Sequence, residues 1–204
     1  MNGKVLSAVA ALALLATYPV AHADTADVLA GVTVAPFAHR SDYRRAAFGE
    51  GWPKDSAGCD VRDDVLDRDL TNKTYVSTSR CRDAVATGTL VDPYTGTIIA
   101  FQHGERTSAA VQIDHLVPLA YAWDMGAWAW PADKRAQFYT DPTELLAGDG
   151  EANQAKGDSP PGRWLPPNTA YDCQYDREFV AVLRTYQLPI DEASAATIRR
   201  DCPS

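Results

Sequence analysis

The sequence predicts an exported α+β protein that is stabilised by disulfide bonds. Strand-like segments alternate with helix-like segments along the chain. Residues 1–23 have the form of a secretory signal peptide, with Lys4, an apolar run and an Ala-His-Ala cleavage site that ends at Ala23. Four cysteines follow the cleavage site, and an even number in an exported chain indicates disulfides.

Length and charge limit the classes of function. The 204 residues suit one domain of ordinary size, and we expect 24–40 to be extended and 41–204 to form that domain. Signal cleavage removes Lys4 and leaves 18 basic and 27 acidic side chains, a net charge of −9. This acidity argues against a high-affinity, non-catalytic DNA-binding protein. It does not exclude an enzyme that holds nucleic acid through a metal ion and a few cations.

The cysteines favour local disulfides over a zinc site. No C-x-x-C pair is present, so a structural zinc knuckle is not expected. Three pairings are open. We favour Cys59–Cys81 and Cys173–Cys202 because each closes a local loop, and each bond would stabilise the fold by about 2–4 kcal/mol.

The first half of the chain predicts short helices and a group of strands. Turn residues separate the strands, above all in 92–96, Asp-Pro-Tyr-Thr-Gly. A hairpin between the last two strands is expected. The predicted elements are helices at 43–49 and 59–70, strand-like segments at 75–79 and 84–90, and strands at 97–101 and 108–117.

The second half is predicted to be mainly helical. Four prolines rule out regular structure between 160 and 170, and Asp191 is a candidate N-cap of the last helix. The predicted elements are helices at 120–130 and 132–139, a short strand at 143–147, and helices at 151–156, 175–186 and 191–200. Two roles are open for Trp123, Trp128 and Trp130: they stack on bases, or, as is more usual, they belong to the core.

Two polar segments carry the chemistry. Asp114 and His115 are adjacent in the apolar run 111–119, which is typical of a strand. Neighbouring side chains of a strand point to opposite faces, so both can act together only at the strand's end, where the backbone turns. A second polar segment, 151–158, follows about 40 residues later. We predict that the two segments form one metal site.

The order strand, helical insert, strand, helix resembles the HNH endonuclease family, and most closely its secreted actinobacterial-type branch. The resemblance extends from about Tyr43 to the last helix and implies a ββα-metal (HNH) core with an inserted helical segment and flanking helices. The matching motifs are Gly58-Cys59-Asp60, Asp92-Pro93-Tyr94-Thr95-Gly96, Val111-Gln112-Ile113-Asp114-His115, Asn153-Gln154-Ala155-Lys156-Gly157-Asp158 and Trp164-Leu165-Pro166-Pro167.

The resemblance also implies roles for single residues. His115 matches the general base, Asp114 and Asn153 match the metal ligands, and Lys156 lies where a cation meets substrate phosphate. Glu144 stands where the family has an asparagine that orients the histidine. Its carboxylate leaves two roles open, as acceptor of a hydrogen bond from His115 or as a further metal ligand. Oxygen and amide ligands suit Mg²⁺, with Mn²⁺ as a substitute.

These residues predict a secreted, monomeric endonuclease that hydrolyses DNA with little sequence specificity. RNA is a second candidate substrate. One alternative is a catalytically degenerate nucleic-acid or envelope-binding protein on the same scaffold. Another is a different metallohydrolase, but no H-E-x-x-H motif is present. His103, Arg62 and Arg106 are weaker site candidates, for which structural or surface roles are more usual.

Overall fold

The computed structural model describes residues 27–104 and 108–203, and the predicted signal peptide lies outside them. These residues form a mixed α+β structure. The helices are α1 (Val61–Asp69), α2 (Leu119–Asp124), α3 (Ala132–Thr140), α4 (Gly150–Lys156), α5 (Asp172–Tyr186) and α6 (Glu192–Asp201). The strands are β1 (Thr71–Val76), β2 (Ala84–Val91), β3 (Ile98–Gln102), β4 (Val111–His115) and β5 (Leu145–Asp149). Short 3-10 turns occur at Arg45–Ala47, Ser108–Ala110 and Ala127–Ala129.

The strands form two separate antiparallel sheets. One has the order β1-β2-β3, and the other pairs β4 with β5 so that Val111 faces Asp149 and His115 faces Leu145. The predicted hairpin between 97–101 and 108–117 is therefore wrong. Alternating apolar residues identify a strand but not its partner. Here β2 already pairs with β3, and Arg62 on α1 donates hydrogen bonds to the carbonyls of Ser108 and Val111, which fixes the start of β4 against α1.

Helix α4 begins directly at the end of β5. Asp149 is its N-cap, and the carboxylate accepts hydrogen bonds from the backbone N–H groups of Glu151 and Ala152 at 3.0 and 2.8 Å. The helix ends at Gly157, whose φ of 51° and ψ of −126° lie in a region that side chains strongly disfavour. The second sheet and this helix therefore form a compact strand-strand-helix unit, with the helical segment 116–144 inserted between the strands.

The inserted segment belongs to the main hydrophobic core. Trp123 and Phe138 belong to the same buried cluster as apolar residues of α5 and α6, and the ring of Trp130 lies 5.7 Å from that of Tyr186. Trp128 is half exposed beneath the guanidinium of Arg40. The helix predicted at 120–130 is interrupted at Gly126, whose φ of 130° ends α2.

Both favoured disulfides are present. Cys59–Cys81 joins the start of α1 to the loop between β1 and β2, and Cys173–Cys202 joins the first turn of α5 to the end of α6. Asp191 caps α6 as predicted, accepting a hydrogen bond from the backbone N–H of Ser194 at 3.0 Å. Among the described residues, no helix has the length and apolarity that a membrane span needs.

Candidate active site

A polar cleft of about 330 Å³ opens where β4 ends beside α4. It brings Asp114 and His115 together with Asn153, as the sequence motifs predicted. The bend that follows β4 at Leu116 lets two neighbouring side chains of the strand reach the same cleft. The cleft is lined by Arg45, Gln112, Ile113, Asp114, His115, Pro118, Leu119, Asn153, Gly157 and Asp158.

His115 is held in one orientation by Tyr139. Its Nε2 lies 3.1 Å from the carbonyl oxygen of Tyr139, and the two rings stack at 5.3 Å with an interplanar angle of 20°. A carbonyl oxygen can only accept a hydrogen bond, so Nε2 carries the proton. In the neutral imidazole, Nδ1 is then the unprotonated nitrogen with a free lone pair. That nitrogen is the one able to take a proton from a water molecule.

The environment of His115 keeps the imidazole neutral. Burial lowers its pKa from 6.5 to about 3, and the positive charges of Arg45 and Lys156 act in the same direction. The hydrogen bond to Tyr139 opposes this shift. At neutral pH the ring therefore has the protonation state that a general base requires.

Asp114 is anchored from behind the cleft. Its carboxylate accepts a hydrogen bond from the Tyr94 hydroxyl at 2.6 Å and forms an ion pair with Lys156 at 2.8 Å. Tyr94 reaches it from the turn 92–96, where the buried Asp92 accepts hydrogen bonds from the backbone N–H groups of Thr95 and Asp149. The tyrosine of the motif Asp-Pro-Tyr-Thr-Gly therefore holds the Asp114 carboxylate in position.

Lys156 lies behind Asp114 and does not line the cleft. Its side chain is fully buried, and Nζ donates hydrogen bonds to Asp114 and, at 2.7 Å, to the carbonyl oxygen of His115. The family resemblance predicted that this cation contacts substrate phosphate. The structure places it where it fixes the two residues of the Asp-His pair relative to α4.

Glu144 does not contact His115. It is fully buried, and its two carboxylate oxygens lie 3.1 and 3.2 Å from the backbone nitrogen of Val117, which donates to them. Its own carbonyl accepts a hydrogen bond from Leu116. Burial raises the pKa of this carboxyl group well above its usual value. Glu144 therefore fixes the backbone just after His115, while the Tyr139 carbonyl orients the ring.

Asn153 presents its amide oxygen as a possible ligand. Its Nδ2 donates a hydrogen bond to Oε1 of Gln112 at 2.9 Å, so Oδ1 is the atom left without a donor. Gln112 precedes Asp114 by two residues, and both lie on the same face of β4. A carboxylate and an amide oxygen are hard donors of the type that Mg²⁺ and Mn²⁺ prefer.

One charged residue of the cleft, Arg45, was not found from the sequence, whereas Asp158 belongs to the polar segment 151–158 that was predicted to form the site. Arg45 is exposed at the mouth of the cleft, with the guanidinium 5.6 Å from the ring centroid of Tyr139, and Asp158 follows α4 on the other side. Arg45 is the cation that lines this cleft among the described residues. The only sequence signal for it was a pair of adjacent arginines beside a short helix, which does not indicate where their side chains point.

The weaker candidates lie elsewhere. His103 is exposed and lines a separate depression together with Arg80 and the half-buried Arg62, whose guanidinium donates to the start of β4; Arg106 falls outside the described residues. Cys59, Asp63 and Cys81 are close enough together to hold a metal ion. The two sulfurs form a disulfide, however, and so supply no thiolate, while Asp63 belongs to the cap of α1.

The depressed pKa of His115 makes stability depend on pH. Between about 3 and 6.5 the unfolded chain binds a proton that the folded chain excludes, so the free energy of unfolding should rise with pH across this range. We expect His115→Asn to remove part of this slope in denaturant unfolding with EDTA present. His103→Asn, which changes an exposed histidine, is the matched control, and equal slopes in both variants would contradict the assigned environment.

Comparison with known proteins connects the chain to a nuclease family. A family model described as "GmrSD restriction endonucleases, C-terminal domain" matches residues 60–200. This range contains the Asp-His pair, Glu144 and all of α4. The match supports the predicted relationship to nucleases, whereas the narrower assignment to a secreted HNH branch stays a prediction.

A second comparison concerns where the protein is found, inside or outside the cell. An uncharacterized secreted protein of Arthroderma benhamiae is 36% identical over 202 residues, which cover 95% of this chain and 93% of that protein. No solved structure matches the chain. The secreted relative and the two disulfides confirm the prediction that the protein is secreted. Because the family model spans more than half of its residues, the chain belongs to the family of the GmrSD restriction endonuclease C-terminal domain.

Proposed function

We propose that the protein is a secreted, metal-dependent endonuclease that hydrolyses phosphodiester bonds of DNA with little sequence specificity. The observation that carries this proposal is the orientation of His115. Its Nε2–H is fixed on the Tyr139 carbonyl, so Nδ1 is free in the same cleft as Asp114 and Asn153. Membership of a family associated with restriction endonucleases supports the same chemistry.

The unit formed by β4, β5 and α4 corresponds, in this proposal, to the ββα-metal core. Asp114 and Asn153 would hold Mg²⁺ or Mn²⁺, with Asp158 close by on the same cleft. Bound there, the ion would supply positive charge to the phosphate and to the leaving 3′-oxygen. Lys156 and Tyr94 hold the Asp114 carboxylate in position from the buried side.

In the proposed reaction, His115 and Arg45 have separate roles. His115 takes a proton from water through Nδ1, and the oxygen attacks phosphorus in line with the 3′-oxygen. The new P–O bond forms as the bond to the 3′-oxygen breaks, and the leaving 3′-oxygen takes a proton from solvent, so the products carry 5′-phosphate and 3′-hydroxyl ends. Arg45 binds a non-bridging phosphate oxygen at the mouth of the cleft. Its charge also compensates for the acidity of the chain at the point of contact with DNA.

Plasmid digestion tests the role of His115. Nicking and linearisation should require Mg²⁺ or Mn²⁺ and should stop in EDTA. The His115→Ala variant should lose about 10²–10⁴-fold in rate because the general base is removed. His103→Ala should cleave at the rate of the unchanged protein. Full activity of His115→Ala would exclude His115 as the base, and DNA binding without cleavage at every divalent ion would favour a degenerate binding protein.

Arg45 and Arg44 form a matched pair for testing the phosphate contact. The Arg44 guanidinium donates to the carbonyls of Ser41 and Tyr43 and does not line the cleft. We expect Arg45→Ala to reduce kcat/KM on DNA about 10- to 100-fold, as loss of one charge-assisted hydrogen bond of about 1.5–3 kcal/mol implies. Arg44→Ala should have little effect. Equal losses in both variants would show that the arginines act only through general charge.

Glu144→Gln distinguishes a structural role from a catalytic one. The amide oxygen of glutamine can still accept the hydrogen bond from Val117, so we expect the cleavage rate to stay within about threefold of the unchanged protein. The Mg²⁺ concentration that gives half-maximal cleavage should also be unchanged. A hundredfold loss of rate in a variant of normal stability would instead assign the carboxylate to the metal or to proton transfer.

A further inference from the structure

The side-chain amide of Asn153 can meet the cleft in two ways, with its oxygen or with its nitrogen. Turning the amide over exchanges the two atoms with almost no change of shape, so the surrounding groups must select one orientation. Only the oxygen can coordinate a hard cation. In the structure, Nδ2 donates a hydrogen bond to Oε1 of Gln112 at 2.9 Å, which leaves Oδ1 for the cleft that Asn153 lines.

The amide of Gln112 has the same two orientations, and a backbone group selects between them. The carbonyl oxygen of Ala109 lies 3.5 Å from Nε2 of Gln112, as a long hydrogen bond, while Oε1 contacts Asn153. A carbonyl oxygen only accepts hydrogen bonds, so the atom of Gln112 that faces it is the nitrogen. The oxygen of Gln112 is then turned to Asn153 and binds its Nδ2. One backbone carbonyl therefore determines, through one glutamine, which atom of Asn153 is free.

The turn that carries this carbonyl is fixed by its neighbours. The Arg62 guanidinium donates to the carbonyls of Ser108 and Val111 at 3.0 and 2.9 Å, on either side of Ala109 in the chain. The turn also lies directly against the first residue of α4. A Cβ at Gly150 would be 2.2 Å from the Ala109 carbonyl oxygen and 3.1 Å from the amide nitrogen of the glutamine. Glycine at the start of α4 is therefore what allows these two groups to come so close to the helix.

We propose that Gln112 is a positioning residue, which fixes the Asn153 amide so that Oδ1, and not Nδ2, is offered to the metal ion. This inference rests on the proposed function, in which Asp114 and Asn153 bind Mg²⁺ or Mn²⁺. Because its Oε1 already accepts the hydrogen bond from Nδ2, Gln112 acts through Asn153 and not as a ligand. Residues that orient a ligand in this way typically contribute about 10- to 100-fold to metal affinity.

Calorimetric titration with MnCl₂ tests this role without measuring cleavage. Gln112→Leu removes the acceptor for Nδ2 and should weaken Mn²⁺ binding about tenfold or more. Gln154→Leu makes the same change at an exposed residue of α4 that does not line the cleft, and it should leave the affinity unchanged. Gln112→Glu keeps an acceptor in the same place and should retain the affinity. A loss in Gln112→Glu as large as that in Gln112→Leu would contradict the proposed role.

The Asn153→Asp variant separates orientation from every other effect of Gln112. Both terminal atoms of an aspartate side chain are oxygens, so no orientation has to be selected. Adding Gln112→Leu to this variant should therefore weaken Mn²⁺ binding less than about threefold. An equal loss with and without Asn153→Asp, or no loss in either protein, would overturn the role of Gln112 alone. Absence of Mn²⁺ binding by the unchanged protein would instead reject the proposed metal site, and this inference with it.

Discussion

The buried ion pair between Lys156 and Asp114 is the interaction on which the candidate site depends. It joins the last turn of α4 to the end of β4, and the same ammonium group donates to the carbonyl of His115. Removing one partner of such a pair leaves an uncompensated buried charge, at a cost of about 3–5 kcal/mol. The strand and the helix that carry the polar residues are therefore fixed relative to each other before any ligand binds.

The insert between β4 and β5 supplies the contacts that orient the His115 ring, which the ion pair does not contact. Tyr139, at the end of α3, provides both the stacking surface and the carbonyl that orient His115. Its ring also lies beneath Arg45, so a single residue links the base to the cation at the mouth. Packing of the insert against α5 thus controls the site, because a shift of α3 would move the acceptor that selects the imidazole tautomer.

Local patterns predicted the α+β class, most elements, both disulfides and the meeting of Asp114 with Asn153. The failures concern contacts between distant segments. The strand at 97–101 has its partner earlier in the chain, and nothing in alternating apolar residues specifies that choice. The position of a residue in a motif does not show whether its side chain is buried, as that of Lys156 is. Nor does the motif show that Arg45, about 70 residues before His115, lies at the cleft. Glu144 likewise acts through a backbone contact that its residue type does not reveal.

The protonation of His115 tests the central claim most directly. In ¹⁵N-resolved NMR spectra of the imidazole at neutral pH, Nε2 should carry the proton and Nδ1 should have the chemical shift of an unprotonated nitrogen. The signals should not titrate between about pH 5 and 8, since the pKa lies near 3. A proton on Nδ1, or an imidazolium at neutral pH, would contradict the account, because the nitrogen facing the cleft could then accept no proton.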